Sequence, residues 1–157
     1  MRRLFGLGGL LGGAWLFASP WALPSTITTN MGGGMTADHM MTQTTSQVVI
    51  NASTYYWHIV PGILAILVSA AVIMFSAPAL MRGLAVALGV LAVWSAAGPW
   101  VLPQLGMGSM MSMGLTGGSF LRHVVPGIVL AICAGGVFFT ASNRSSQEVR
   151  TEARVQS

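Results

Sequence analysis

The sequence carries very little charge, and it contains no lysine at all. Charged residues make up 6% of its 157 residues and hydrophobic residues 54%, whereas an average soluble domain has about 25% charged residues. A surface so poor in charge is not stable in water, so lipid is the expected solvent for most of the chain. The composition therefore excludes an ordinary soluble domain.

Acidic residues are almost missing as well. Asp38, Glu148 and Glu152 are the only three, and none of them lies in an apolar stretch. An active site needs a nucleophile, a base or converging polar groups, and the sequence shows no such constellation. The single cysteine, Cys133, rules out an intrachain disulfide. We predict that the protein is not an enzyme.

Four long apolar runs dominate what remains. They cover residues 4–23, 57–77, 83–102 and 120–141. Each is close to the ~20 residues that a helix needs to cross the hydrocarbon core of a bilayer. Inside lipid the backbone of such a run can satisfy its own hydrogen bonds only as a helix. The sequence predicts an all-α membrane protein with four transmembrane helices.

The arginines give the expected orientation. They lie before the first run, between the second and third runs, and after the fourth run: Arg2, Arg3, Arg82, Arg144, Arg150 and Arg154. Four crossings place all of these on one side, which the positive-inside bias makes cytoplasmic. Both termini are then cytoplasmic, and loops 24–56 and 103–119 face outward. Because the basic residues flank the apolar runs, they do not indicate nucleic-acid binding; only Arg122 departs from the pattern.

The chain also contains an internal repeat. The pattern W-x-x-A-x-P-W-x-L-P occurs twice at an offset of 79, pairing Trp15, Pro20, Trp21 and Pro24 with Trp94, Pro99, Trp100 and Pro103. A second pattern, H-x-V-P-G, pairs His58, Pro61 and Gly62 with His123, Pro126 and Gly127 at an offset of 65. We predict two tandem helical hairpins, residues 1–78 and 79–142, followed by a polar tail, residues 143–157. Tandem hairpins of equal orientation are related by a pseudo-two-fold axis along the membrane normal.

The residues of the first repeat carry a family resemblance. Ser19-Pro20-Trp21 resembles the signature of the SPW-repeat family of small bacterial membrane proteins. The second unit departs from it, with Gly98 in front of Pro99-Trp100. The resemblance implies a double hairpin in the bacterial plasma (inner) membrane, and it implies no enzymatic activity.

The repeated prolines, tryptophans and glycines have simple structural interpretations. Pro20 and Pro99 are expected at the outer ends of their helices, with Trp21 and Trp100 in the aromatic belt at the membrane surface. Gly62 and Gly127 are expected to let neighbouring helices approach closely.

The two repeated histidines allow more than one interpretation. An ionisable side chain at membrane depth indicates function by default. If His58 and His123 converge on the repeat axis, they are candidates for the axial ligands of a b-type haem, with Arg122 at a propionate, or for part of a metal site. Structural histidines at the membrane surface, and an Arg122 that binds a lipid phosphate, are the alternatives.

The outer loops are rich in methionine. His39 is accompanied by Met31, Met35, Met40 and Met41 in the first loop, and the second loop contains Met107, Met110, Met111 and Met113. Thioethers are soft ligands that suit Cu(I), but methionine is also a flexible apolar filler. Copper binding and plain packing both remain open.

The leading functional prediction is a small structural or accessory subunit. It would contact the lipid bilayer and pack against other integral membrane proteins or copies of itself, in a respiratory or transport complex, without a cofactor. The alternative is metal or haem handling at the outer face, with Cu(I) in the methionine loops or haem b between the histidines.

Overall fold

The computed structural model describes residues 1–23, 25–30, 42–47, 54–104 and 120–155. It contains four α-helices: α1 (Arg2–Ala22), α2 (Val60–Met74), α3 (Pro78–Gln104) and α4 (Val125–Val155). A short π-helical turn precedes α2 and another precedes α4; the first π turn is Tyr55–Ile59 and the second is Phe120–Val124.

Four segments are long and apolar enough to cross a membrane: Arg2–Ala22, Tyr55–Met74, Pro78–Gly98 and Phe120–Gln147. This confirms the four predicted spans, and the chain has the architecture of a multi-pass membrane protein. Helix α4 does not stop at the end of its span. The polar tail continues it as helix as far as Val155.

Each helix packs chiefly against two others. Helix α1 lies against α2 and α4, and α3 lies against α4 and α2, so α2 and α4 face each other diagonally across the bundle. The buried centre between them includes Ala65, Val72, Leu88, Leu130 and Val137. We call the end of the bundle that holds Arg2 and Arg82 the arginine end, and the end that holds His58 and His123 the histidine end.

The inward face of α1 is built largely from glycine. Gly6, Gly9, Gly13 and Leu16 recur at helical spacing and are all buried. A Cβ added at Gly13 would lie 2.9 Å from the backbone nitrogen of Ile66 on α2. The absence of side chains here lets the backbones of α1 and α2 touch, which is how small residues stabilise helix pairs in lipid.

Arginine side chains join the helices at the arginine end. Arg2 Nη1 donates to the carbonyl oxygen of Phe75 at 2.6 Å, at the turn between α2 and α3. Arg82 Nη2 donates to Ser145 Oγ, which connects α3 to α4. The Arg2 bond also satisfies a carbonyl that the end of α2 leaves without an intrahelical partner.

A small β-hairpin lies between α1 and the first π turn. Strands β1 (Ser25–Asn30) and β2 (Thr42–Gln47) pair antiparallel, with Ser25 opposite Gln47 and Asn30 opposite Thr42. Threonine, a β-branched residue, is frequent in both strands and favours extended backbone. No pattern in the sequence predicted this β-hairpin, whereas the membrane-spanning part is helical as predicted.

Candidate functional site

The two histidines lie in the π turns, and the prolines that follow them explain why those turns form. Proline has no N–H and cannot donate the usual helical hydrogen bond. Just before Pro61, the N–H of Val60 bonds to the carbonyl of Tyr55, five residues back, which is the π-helical register. His58 and His123 are only 8% and 2% exposed. The π turns thus place both imidazoles inside the bundle.

The two imidazoles meet in the interior of the bundle, at its histidine end. Their ring centroids are 4.5 Å apart and their planes are inclined at 43°. The sequence left open whether the two histidines converge or point apart. They converge, because α2 and α4 are diagonal neighbours and each π turn directs its histidine inward.

His58 has a hydrogen-bond partner on α1. Ser19 Oγ lies 2.9 Å from His58 Nδ1 and donates to the carbonyl oxygen of Leu16 at 3.0 Å. When the Ser19 hydroxyl donates its one proton to Leu16, it can accept from an Nδ1–H of His58. The hydrogen bond between Ser19 and His58 joins α1 to the first π turn.

His123 has a different environment at the matching position. Gly98 is the residue that corresponds to Ser19, and a Cβ added there would lie 2.9 Å from His123 Nδ1. That nitrogen has no hydrogen-bond partner among the described residues. The ring of His123 therefore occupies the space that a serine side chain would need.

Each π turn accepts a hydrogen bond from a tryptophan indole of the other helical hairpin. Trp15 Nε1 donates to the carbonyl of Leu121 at 2.9 Å, and Trp94 Nε1 donates to the carbonyl of Tyr56 at 3.2 Å. These carbonyls lie five residues before Pro126 and Pro61, so proline has removed the donor that the π register would supply. The tryptophans replace the missing donors.

Packing around the histidines uses the remaining repeated residues. Trp57 and Trp94 stack with centroids 4.8 Å apart and planes 17° apart. A Cβ added at Gly62 would lie 2.7 Å from the nitrogen of Phe17, and one at Gly127 would lie 3.0 Å from the oxygen of Ala92. Both glycines thus make the close helix contacts expected of them. Ser95 Oγ adds a hydrogen bond to the carbonyl of His123 at 3.0 Å.

The second proline motif differs from its expected position. Pro20 is buried in the last turn of α1, near the helix end as predicted. Pro99 and Pro103 instead lie within α3, which continues to Gln104. Proline has a φ value compatible with helix, and backbone groups freed near a membrane surface can find other partners. Trp21 and Trp100 are 42% and 53% exposed, as an anchor in the aromatic belt requires.

The histidine pair does not fit a haem in this arrangement. Metal–nitrogen bonds of about 2 Å on opposite faces of an iron separate the two ligating nitrogens by about 4 Å, and each ring centroid lies about 1 Å farther out. The observed centroid separation of 4.5 Å is too short for that geometry. A haem would require α2 and α4 to separate at the histidine end.

The candidate ligands of the outer loops fall outside the described residues. His39, Pro24 and all eight loop methionines lie outside them: Met31, Met35, Met40, Met41, Met107, Met110, Met111 and Met113. Within the described ranges, no group of three or more histidine, cysteine or acidic residues is placed to hold a metal ion. Arg122 is half-buried beside His123 and interacts with other residues of the chain.

Comparison with known proteins identifies no matching family model, no similar curated protein and no similar solved structure.

Proposed function

We propose that the protein is a small non-enzymatic integral membrane subunit that packs against other membrane proteins, in a respiratory or transport assembly. The observation that carries the proposal is the use of the polar side chains at the histidine end. Their hydrogen bonds join different elements of the bundle. The residues that make these bonds are Ser19, His58, Trp15, Trp94 and Ser95. Polar groups that indicate function in a membrane are here mostly engaged in holding the helices together.

The contacts at the histidine end favour a tandem duplication. The two indole bonds involve residues matched by both sequence offsets, since Trp15 and Trp94 differ by 79 and Tyr56 and Leu121 differ by 65. We therefore propose two hairpin units of the SPW-repeat kind, each contributing the donor for the other's π turn. Both termini are then cytoplasmic, with the histidine end toward the outside of a bacterial plasma membrane.

Helix α3 is the best surface for a partner helix. Its span has the smallest buried share, 28% against 39% for each of the others. Gly83 and Gly89 border an outward arc of about 120° that contains the exposed residues Val86, Val90 and Val93. Apart from the adjoining backbone of α3, no atom of the described residues lies within 4 Å of a Cβ added at either glycine. The two glycines on one arc would let a partner helix come into close contact with the backbone of α3.

Purification in mild detergent tests the proposal. We expect the native protein to migrate as part of a larger complex, and the double variant Gly83→Leu, Gly89→Leu to release it. Gly135→Leu is the matched control, because the space beyond that glycine on α4 is also open. A protein that stays monomeric in every mild detergent, and never co-purifies with a partner, contradicts the subunit hypothesis.

The alternative proposal is metal handling at the outer face. One observation favours it: Nδ1 of the buried His123, which has no hydrogen-bond partner in the described part of the chain, lies at the end of the bundle to which the methionine loops are connected. The loops would bind Cu(I) through thioethers and His39. A titration under reducing conditions should then lose affinity when Met107, Met110, Met111 and Met113 become leucine, whereas Met74→Leu outside the loops should have no effect. Unchanged affinity would assign the loop methionines to packing.

An absorption spectrum tests the haem variant of the same idea. Because the imidazoles touch, we expect protein purified from haem-replete cells to show no Soret band. A Soret band that disappears in His58→Ala and in His123→Ala separately would establish haem ligation, and it would show that the rings separate in the membrane.

A further inference from the structure

A pocket at the arginine end has the composition of a lipid-headgroup site. It lies where α1, the α2–α3 turn, α3 and α4 meet. Its deep wall is apolar, formed by the almost fully buried Met81, Val137 and Ala141. Its rim carries two cations, the half-buried Arg2 and the exposed Arg144. Among the lining residues that the structure describes, none is acidic.

We propose that the rim of this pocket binds the phosphate of an anionic phospholipid. The pocket is at the end of the membrane spans, which is the depth of the headgroups in a bilayer. A phosphate between Arg2 and Arg144 would receive charge-assisted hydrogen bonds. Basic pockets between transmembrane helices are typical binding sites of anionic headgroups.

Arg2 is already positioned for this role. Its Nη1 donates to the carbonyl of Phe75 at 2.6 Å and its Nη2 lies 3.5 Å from the carbonyl of Ile73. A guanidinium has five N–H donors, so these contacts fix its orientation and leave donors for a ligand. Ser76 at the rim offers a further hydroxyl donor.

The exposed apolar side chains beside the rim favour a lipid over a free anion. Inorganic phosphate would use only the arginines and hydroxyls, whereas a phospholipid also has a glycerol backbone and acyl chains. These groups can lie against the exposed side chains of Leu4, Met74 and Phe75 while the phosphate stays at the rim. The rim and this exposed surface together match the two parts of one amphiphile.

The test uses the full-length protein in a neutral detergent. Native mass spectrometry would follow the binding of phosphatidylglycerol, with phosphatidylcholine and inorganic phosphate as separate probes. We expect selective binding of phosphatidylglycerol. Affinity should fall about fivefold in Arg144→Gln and about thirtyfold in the double variant Arg2→Gln, Arg144→Gln.

The matched control removes the same charge outside the pocket. Arg3→Gln, Arg150→Gln should change affinity by about twofold or less. If this control loses as much as the pocket variant, general surface charge accounts for binding and the site is refuted. Displacement of the lipid by an equal concentration of inorganic phosphate would refute the lipid as its ligand. Arg144→Gln alone keeps the test valid if the double variant does not fold, because the Arg144 side chain is exposed.

Discussion

The two hairpins place the same kinds of residue at the histidine end but differ at one position. In the first, Ser19 binds His58 Nδ1; in the second, Gly98 faces a His123 Nδ1 that has no hydrogen-bond partner among the described residues. A serine at position 98 would collide with the ring of His123. The missing serine therefore has a spatial reason, since the second imidazole fills the place of its side chain.

The glycines that follow the two prolines, Gly62 and Gly127, also differ in how closely they are packed. Gly62 faces Phe17, and a Cβ there would meet backbone nitrogen and Cα at 2.7 and 2.9 Å. Gly127 faces Ala92 and Ala96 at 3.0–3.1 Å. The first hairpin is thus packed more tightly at this point than the second. The same substitution should therefore lower the free energy of unfolding more at position 62 than at position 127.

The largest effect is expected at Gly62. Gly62→Ala should lower the free energy of unfolding by about 2 kcal/mol, because the added Cβ strikes backbone atoms that cannot rotate away and overpacking outweighs the helix-propensity gain. Gly127→Ala should cost about 1 kcal/mol. Chemical unfolding in detergent micelles measures both. Gly135→Ala, which faces open space, should be neutral or slightly stabilising; equal losses at positions 62 and 127 would contradict the comparison.

The next effect is expected at Ser19. Ser19→Ala should cost about 1.5 kcal/mol, because it removes the buried hydrogen bonds that the Ser19 hydroxyl makes with His58 Nδ1 and with the carbonyl of Leu16. His58→Phe in the same chain should recover part of the loss, since removing both partners is less costly than removing one. The control is Ser146→Ala, which deletes an exposed hydroxyl bonded to the carbonyl of Ser142. If the two serine variants unfold alike, the Ser19–His58 bond contributes nothing to stability.

The smallest effects are expected from the indole bonds. Trp15→Phe and Trp94→Phe should each cost about 1 kcal/mol, because the carbonyls of Leu121 and Tyr56 lose their donors. Pro126→Ala would restore a backbone donor to the second π turn, so it should reduce the loss in Trp15→Phe. Pro61→Ala should have the corresponding effect only on Trp94→Phe. Double-mutant cycles measure these pairings. If Pro126→Ala does not reduce the loss in Trp15→Phe, and Pro61→Ala does not reduce the loss in Trp94→Phe, the prolines are not the reason why these carbonyls bind indole donors.

The sequence predicted the spans well, because hydrocarbon imposes length, low charge and helical backbone on any segment that crosses it. It also singled out the residues of the histidine end, through the two matched patterns. It did not predict that Trp15 and Trp94 bond to the π turns of opposite hairpins, or that Ser19 binds His58. The offsets of 79 and 65 align the first helical hairpin with the second, but they do not indicate whether a tryptophan bonds within its own hairpin or to the other one.

The sequence by itself determined four membrane-crossing helices and most of their ends within about five residues; the exception is α4, which continues beyond the predicted end at residue 141 as far as Val155. Those properties are local, and each depends on a single segment and its solvent. Only the tertiary structure decided that the two imidazoles are in contact and that the ring of His123 occupies the space beside Gly98. It also decided that two arginines border one apolar pocket. Such contacts depend on the rotation and separation of helices distant in sequence, which side-chain packing of the whole bundle sets.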